Sequence, residues 1–289
     1  MKSLPFKIID THLHFWDPEK FGYPWLGHVP LIASKHTPEE LLKAYSFVEE
    51  IDGVFVQAEC RTEQALQEVE WVTQLSKKYP WIKGIVAYAP MNQGKKTEQW
   101  LETLEKNPLV KGIRHQLQGE EEASFCLKPD FIQGIQSLSC RGLVFDLCLK
   151  HHQLPQAREL VEKCPHNSFV LDHFGNASLK DESFETWSHD LRRIAEFSHV
   201  SVKLSGLLTQ LPTVVDSRKV SEIFKVVLDA FGPQRALFGS DWPVMNLNGN
   251  YQQWLELVLQ ETASFSETDR QAIFSKNAER IYQLEKDKA

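Results

Sequence analysis

His12 and His14 stand one residue apart, behind the apolar pair Ile8-Ile9 and the acid Asp10. Side chains alternate along a strand, so the two imidazoles share one side. Two neutral imidazoles aimed at one point suit a divalent cation, for which imidazole is the commonest ligand. Glu59, His173 and Asp241, each just beyond another apolar run, complete a mixed nitrogen and oxygen shell. A carboxylate such as Asp241, beside a metal or its water, also serves as a general base near neutral pH. Taken alone, an H-x-H pair is more often two histidines of a core or surface than a metal site. A single His173 could equally donate to a backbone carbonyl. The weight lies in how many ionisable residues fall at the ends of apolar runs, because unpaired charge inside a strand core is costly.

Such residues need elements that bring their ends together. Short apolar, β-branched runs occupy residues 6–11, 53–58, 83–88, 110–115, 142–147, 168–172, 200–204 and 236–239. Helix-like segments separate them at 37–48, 62–79, 97–106, 131–139, 153–164, 185–197, 217–231 and 252–261, and a last helix covers about 266–284. In Thr37-Pro38-Glu39-Glu40 a cap, a first-turn proline and two acids mark a helix start. Strand–helix alternation implies parallel strands with helices outside. Eight repeats in 289 residues predict an α/β fold, a (β/α)8 TIM barrel, as one domain over 1–289 with a C-terminal helix. The alternative is an open doubly wound sheet, but no G-x-G-x-x-G or G-x-x-x-x-G-K-[ST] run accompanies the strands.

In a TIM barrel the chemistry sits at the C-terminal strand ends. There the chain carries Gln57 and Glu59; Arg114 and His115; Asp146, Lys150, His151 and His152; Asp172 and His173; Lys203 and Ser205; and Ser240, Asp241 and Trp242. Trp16, Trp25 and Trp242 follow strand ends or lie in the first loop, where they are expected to line a substrate. Trp71, Trp81, Trp100, Trp187 and Trp254 read as packing residues. Cys148 reads as a small core residue. His28, His36, His166, His189 and His199 read as solvated.

The net charge of −7 and the absence of a basic run exclude a nucleic-acid surface. Five scattered cysteines without C-x-x-C spacing read as reduced thiols, not a disulfide framework or zinc knuckle. No signal-peptide core or bilayer-length apolar run is present, so a cytoplasmic protein without a membrane partner is expected.

IDTHLHFWD, VKGIRHQLQ, FVLDHFGN and FGSDWPV, in that order, resemble the family-2 branch of the amidohydrolase superfamily. Within it the chain is similar to the sugar-lactone hydrolases of the L-fuconolactonase and L-rhamnonolactonase type, from Ile8 to about Val244. The resemblance implies a hydrolase that opens the ring of a sugar-acid lactone. It implies that His12, His14 and, less directly, Glu59 shape a metal or carbonyl-binding centre, joined by His173 and by Asp241, which activates water. Arg114 and His115 are expected to hold substrate or polarise its oxygen. His151, with His152 as its close alternative, and Lys203 are expected to contact substrate. One divalent ion, zinc first, is implied, although the branch includes lactonases that need none. The bridging lysine of binuclear relatives is missing: Arg114-His115 stand at the fourth strand, and Lys150 is followed by histidines. After D-H-x-G the family commonly has Lys-Pro, whereas this chain has Asn176-Ala177. The implied partner is a small sugar lactone, with a homodimer as a further expectation. Two rival readings are a metal-dependent decarboxylase of an aromatic or muconate-type acid and a non-catalytic barrel that binds a sugar acid.

Overall fold

The computed structural model describes residues 6–45, 51–177, 181–210 and 217–284. Its strands are β1 (Ile8–Leu13), β2 (Ile51–Val56), β3 (Ile82–Ala87), β4 (Val110–Ile113), β5 (Val144–Leu147), β6 (Phe169–Leu171), β7 (Val200–Leu204) and β8 (Ala236–Phe238). They form one parallel sheet in chain order, β1 to β8. A parallel bridge between Leu13 and Trp242 brings β8 back to β1. There the His14 amide donates to the Trp242 carbonyl and the Asp241 amide to the His12 carbonyl, both at 2.8 Å. The fold is the (β/α)8 barrel.

Helices α1 (Pro38–Ala44), α2 (Ala65–Lys78), α3 (Lys95–Leu104), α4 (Pro129–Gln136), α5 (Leu154–Lys163), α6 (Asp181–Ala195), α7 (Ser217–Phe231) and α8 (Tyr251–Glu261) alternate with the strands. The Thr37 cap is present as a capping box with Glu40. The expected continuation of that helix to residue 48 lies outside the described residues beyond 45. In α7 the residues Val220, Ile223, Phe224, Val227, Leu228 and Phe231 recur every three or four positions and are buried. That spacing puts one apolar stripe on the barrel. Each such side chain contributes roughly 1.5–3 kcal/mol on burial.

The C-terminal segment is α9 (Glu267–Gln271), a π-helical turn Ala272–Lys276 and α10 (Asn277–Ile281), where the sequence pattern implies one helix. The Asn277 amide donates to the carbonyls of Pro233 and Ala236 at 2.8 Å, fixing this segment under the start of β8. Ala278, Tyr282 and Leu284 then pack with Ile9, Val54, Val56, Val86, Val144, Val170 and Leu237, one small cluster inside the barrel. The larger core lies between the strands and the helices. The C-terminal segment thus plugs the barrel from the end opposite the strand termini.

One irregularity matters for function. The β1–β2 register shifts between Asp10 and Leu13. This bulge lets Ile9 and His12, three residues apart, both face the interior, which strict alternation forbids. Bulges next to active sites re-aim side chains in this way. Asp10, turned outward, accepts from the amides of His12 (3.0 Å) and Ser240 (2.9 Å) and from the Tyr251 hydroxyl of α8 (2.7 Å). One buried carboxylate therefore holds the seam between β1 and β8. His36, expected to be solvated, instead packs edge-on against Trp16 and Trp242 at 5.2 and 5.6 Å.

Candidate active site

Above the apolar plug, the barrel interior turns charged. Asp146 comes from β5, Asp172 from just past β6, Lys203 from β7 and Arg114 from just past β4; all four are buried. Lys203 Nζ pairs with Asp146 and lies 3.0 Å from Asp172 Oδ1. The Tyr282 hydroxyl reaches up from the plug to Asp146 Oδ1 at 2.9 Å. Arg114 Nη2 donates to the Gln57 carbonyl at 2.6 Å, while Nη1 lies 3.4 Å from Asp172 Oδ2 and from His12 Nε2.

Over this layer His12, His14, His173 and Asp241 converge. The Nε2 atoms of His12 and His14 are 3.1 Å apart. Asp241 Oδ1 is 3.4 Å from His14 Nε2 and 3.8 Å from His12 Nε2. The His173 ring centroid lies 4.4 Å from that of His12. Three residues singled out from the sequence have left-handed backbone: Glu59 (φ 55°), His173 (φ 55°) and Asp241 (φ 65°). Non-glycine residues seldom adopt it, and such strain gathers at functional sites. Gly206 (φ 67°) lies against His173, so a Cβ there would sit 2.4 Å from the ring. Ser205 Oγ bonds His173 Nδ1 at 2.9 Å.

The cluster opens into a cleft of about 620 Å³ lined by His14, Glu59, Arg114, His173 and Asp241. Pro24, Trp25, Val29, Val244 and Leu247 form an apolar wall, Gln116, Gln118, Asn176, Thr209 and Gln210 a neutral polar one, and the exposed Arg61 adds a guanidinium to the lining. Cys148, expected in the core, is buried and also touches the cleft.

Several expected residues sit elsewhere. His115 does not line the cleft. Beyond β4, alternation sends Arg114, Gln116 and Gln118 inward and His115 outward, among Tyr88, Phe125 and Phe131. There its Nδ1 accepts from the Met91 amide (3.2 Å), and its Nε2 faces Glu120 at 3.3 Å. Lys203 is fully buried, below the reach of substrate. Trp16 and Trp242 are buried in packing; Trp16 donates to the carbonyls of Ile32 and Ser34. Trp25 alone of the three expected tryptophans reaches the cleft, with its indole N–H on the Ala58 carbonyl at 2.8 Å. His151 and His152 start the 3-10 turn before α5, outside the cleft lining. Glu59 lines the cleft, held by Gln57 on both sides: the Gln57 amide donates to its carboxylate, and its own N–H donates to Gln57 Oε1 at 2.7 Å. The neutral wall was not singled out from sequence. Only the period-two continuation past β4 would have flagged Gln116 and Gln118.

Burial sets the ionisation of the cluster. It lowers His12 well below its ordinary value, with Lys203 adding to the effect, and takes His14 to about 3 with help from Arg114. It also lowers His173. The imidazoles are therefore neutral lone-pair donors. Burial raises Asp241 to about 6, against the pull of His173 and Arg114. Burial also works to raise Asp172, but Lys203 and His12 outweigh it and hold its carboxyl well below the usual range. Ligand atoms of His12, His173 and Asp241 all lie within 4.8 Å of one another. With His14, this neutral-nitrogen and carboxylate donor set fits a divalent ion of zinc type. Glu59 belongs to no such cluster among the described residues.

Glu68 of α2 braces the cleft wall. It is buried, and the Tyr23 hydroxyl and the Ala58 amide point at its two oxygens at 3.4 Å. Burial raises its carboxyl to about 8, with Glu59 adding to the rise. The folded state thus holds this proton between the ordinary 4.5 and about 8, where the unfolded chain has lost it. The associated stability is fully present below pH 4.5 and is lost as pH rises through 8. Glu68→Gln is therefore expected to flatten the fall in denaturation midpoint between pH 5 and 8. An unchanged slope would contradict this.

The amidohydrolase family model matches residues 9–284. An L-fucono-1,5-lactonase of Burkholderia multivorans is 30% identical, with 96% of both chains aligned. An L-rhamnono-gamma-lactonase of Scheffersomyces stipitis is 23% identical over 96% of this chain and 99% of its own. Among solved structures, an amidohydrolase of Burkholderia multivorans with bound zinc superposes with a TM-score of 0.86 at 29% identity, covering 96% of this chain and all of that one. The matched span reaches from the first barrel strand to the plug, and it includes every residue of the cluster: the chain belongs to the amidohydrolase family.

Proposed function

We propose that the protein hydrolyses a sugar-acid lactone, opening the ring of an aldonolactone by attack of water on its carbonyl carbon. The observation that carries this is the meeting of a buried carboxylate, Asp241, with neutral imidazoles and the Arg114 guanidinium on the floor of a cleft whose walls carry amides and a hydroxyl beside Glu59 and Arg61. Relatives named as L-fucono-1,5-lactonase and L-rhamnono-gamma-lactonase support the same substrate class. The amides suit a polyhydroxylated ligand, and Trp25 offers a flat apolar face for its C–H edge.

Asp241 takes the proton of the attacking water, a role its raised pKa near 6 suits, since it is mostly ionised at pH 7 yet still basic. Arg114, anchored on the Gln57 carbonyl, stabilises the oxyanion that forms on the lactone carbonyl oxygen. As the acyl–oxygen bond breaks, the ring oxygen leaves as a hydroxyl and takes the proton back from Asp241. His12, His14, His173 and Asp241 are the residues that would hold a divalent ion, zinc by the precedent of the related structure, and it would polarise the carbonyl and acidify water. Gln116, Gln118, Asn176 and Gln210 bind hydroxyls. The five cysteines are free thiols, which suits the reducing cytoplasm, and among the described residues no helix is long and apolar enough to cross a membrane.

The test is a pH-indicator screen of aldono-1,4- and 1,5-lactones, with chelator and zinc arms, beside an assay for carbon dioxide release from aromatic acids. Acid release from a lactone is expected. Carbon dioxide release without lactone opening would overturn the reading.

A further inference from the structure

Two guanidiniums line the cleft, and they are used differently. Arg114 is buried on the floor, anchored on the Gln57 carbonyl and facing Asp172. Arg61 follows the end of β2 and is exposed, so it stands nearer the mouth. Among the described residues its guanidinium has no hydrogen-bond or ion-pair partner. Glu59, two residues earlier in the same lining, does not neutralise it, because that carboxylate takes a hydrogen bond from the Gln57 side-chain amide instead. Asp241 is likewise engaged, with the imidazoles of His12 and His14. Arg61 is thus the charged group of the described lining that is left for a ligand.

Most exposed arginines wave in solvent, but this one is held. Its N–H donates to the Gly22 carbonyl at 2.8 Å, and the Gly22 N–H donates to Gln64 Oε1 at 2.8 Å. The Arg61 stem lies across Gly22: a Cβ at that glycine would fall 2.7 Å from Nε, 3.0 Å from Cδ and 3.3 Å from Cγ. The stem occupies the space that any other residue at 22 would fill. The first loop therefore fixes both the backbone and the stem of Arg61, and the guanidinium gives up little freedom when it takes a ligand.

We infer that Arg61 binds a free carboxylate on the substrate and so directs the cleft to lactones of sugar diacids, which keep one acid group after the other has closed into the ring. A guanidinium takes a carboxylate through two parallel N–H···O bonds. In a sugar diacid the two acid carbons stand at opposite ends of the chain. The lactone carbonyl made from one end meets Arg114 on the floor, and the carboxylate at the other end meets Arg61 nearer the mouth. The free carboxylate takes no part in bond breaking; it binds and orients. Gly22 is the positioning residue, since its missing side chain gives the Arg61 stem its place. The inference rests on the proposed lactone hydrolysis and narrows its substrate.

The test compares a sugar-diacid lactone with the aldonolactone of the same ring size and stereochemistry on the purified wild-type protein, at low and high salt. The kcat/KM of the diacid lactone is expected to be about tenfold higher, through a lower KM. The ratio should fall as salt rises, because an exposed ion pair is screened. Arg61→Gln removes the charge, and Gly22→Ala keeps it but displaces the guanidinium; each is expected to bring the ratio close to one. Arg61→Glu should take it below one. A wild-type ratio of one or less, or a ratio that Arg61→Gln does not move, would overturn the inference while lactone hydrolysis stands. A folded Gly22→Ala protein with the full preference would overturn the positioning role of Gly22. Opening of neither lactone would overturn both readings. Arg61→Gln, at an exposed position, decides the matter if Gly22→Ala does not fold.

Discussion

Asp241→Asn is expected to lower kcat by a factor on the order of 10²–10⁴, the usual contribution of a positioned general base. The fold should survive, because the amide has the same shape and burial already pushes the carboxyl toward its neutral form, with a pKa of about 6. The Asp241 backbone, whose N–H donates a hydrogen bond to the His12 carbonyl, does not depend on the side chain for that contact. KM should change little, since Arg114 and the polar wall of the cleft remain. Steady-state rates on the lactone, with a thermal melt as the control for folding, check this. Turnover within a few-fold of wild type would remove Asp241 from the base role.

Gly206→Ala is the second large effect, and it acts from outside the reacting atoms. The new Cβ would fall 2.4 Å from His173 Nδ1 and 2.7 Å from Cγ, in a backbone conformation with φ 67°. A side chain in that conformation costs roughly 1–2 kcal/mol by itself. The ring must also move and lose its bond to Ser205. A displacement near 1 Å at a reacting centre costs about a hundredfold in rate. The expected result is a drop of that size in kcat/KM with a modest fall in melting temperature. Unchanged kinetics would show that His173 has no fixed role.

The barrel was legible because its signal is repeated. Eight apolar runs alternate with amphipathic segments, and each run predicts the next. The convergence of the candidate site was legible for the same reason: His12, His14, Arg114, His173 and Asp241 all follow runs that had to be strands. What alternation alone could not give is parity past an irregularity. The bulge between Asp10 and Leu13 re-aims His12, and no local composition marks it. His115 next to Arg114 carries the same chemical promise in the sequence, yet a one-residue step turns it into the helix layer. Lys203 at a strand end looked like a substrate contact. Its depth depends on where the strand ends relative to Asp146 and Asp172, two distant acids that pair with it. The neutral wall lies mostly on loops, where side-chain direction follows turn geometry and not a period.

The most direct measurement is the opening of an aldonolactone by the purified protein in water enriched in oxygen-18. The account predicts acid release, with one labelled oxygen in the product carboxylate and none in the released ring hydroxyl, because water attacks the carbonyl carbon. Label in the hydroxyl, or no acid release from any lactone with or without zinc, would contradict it.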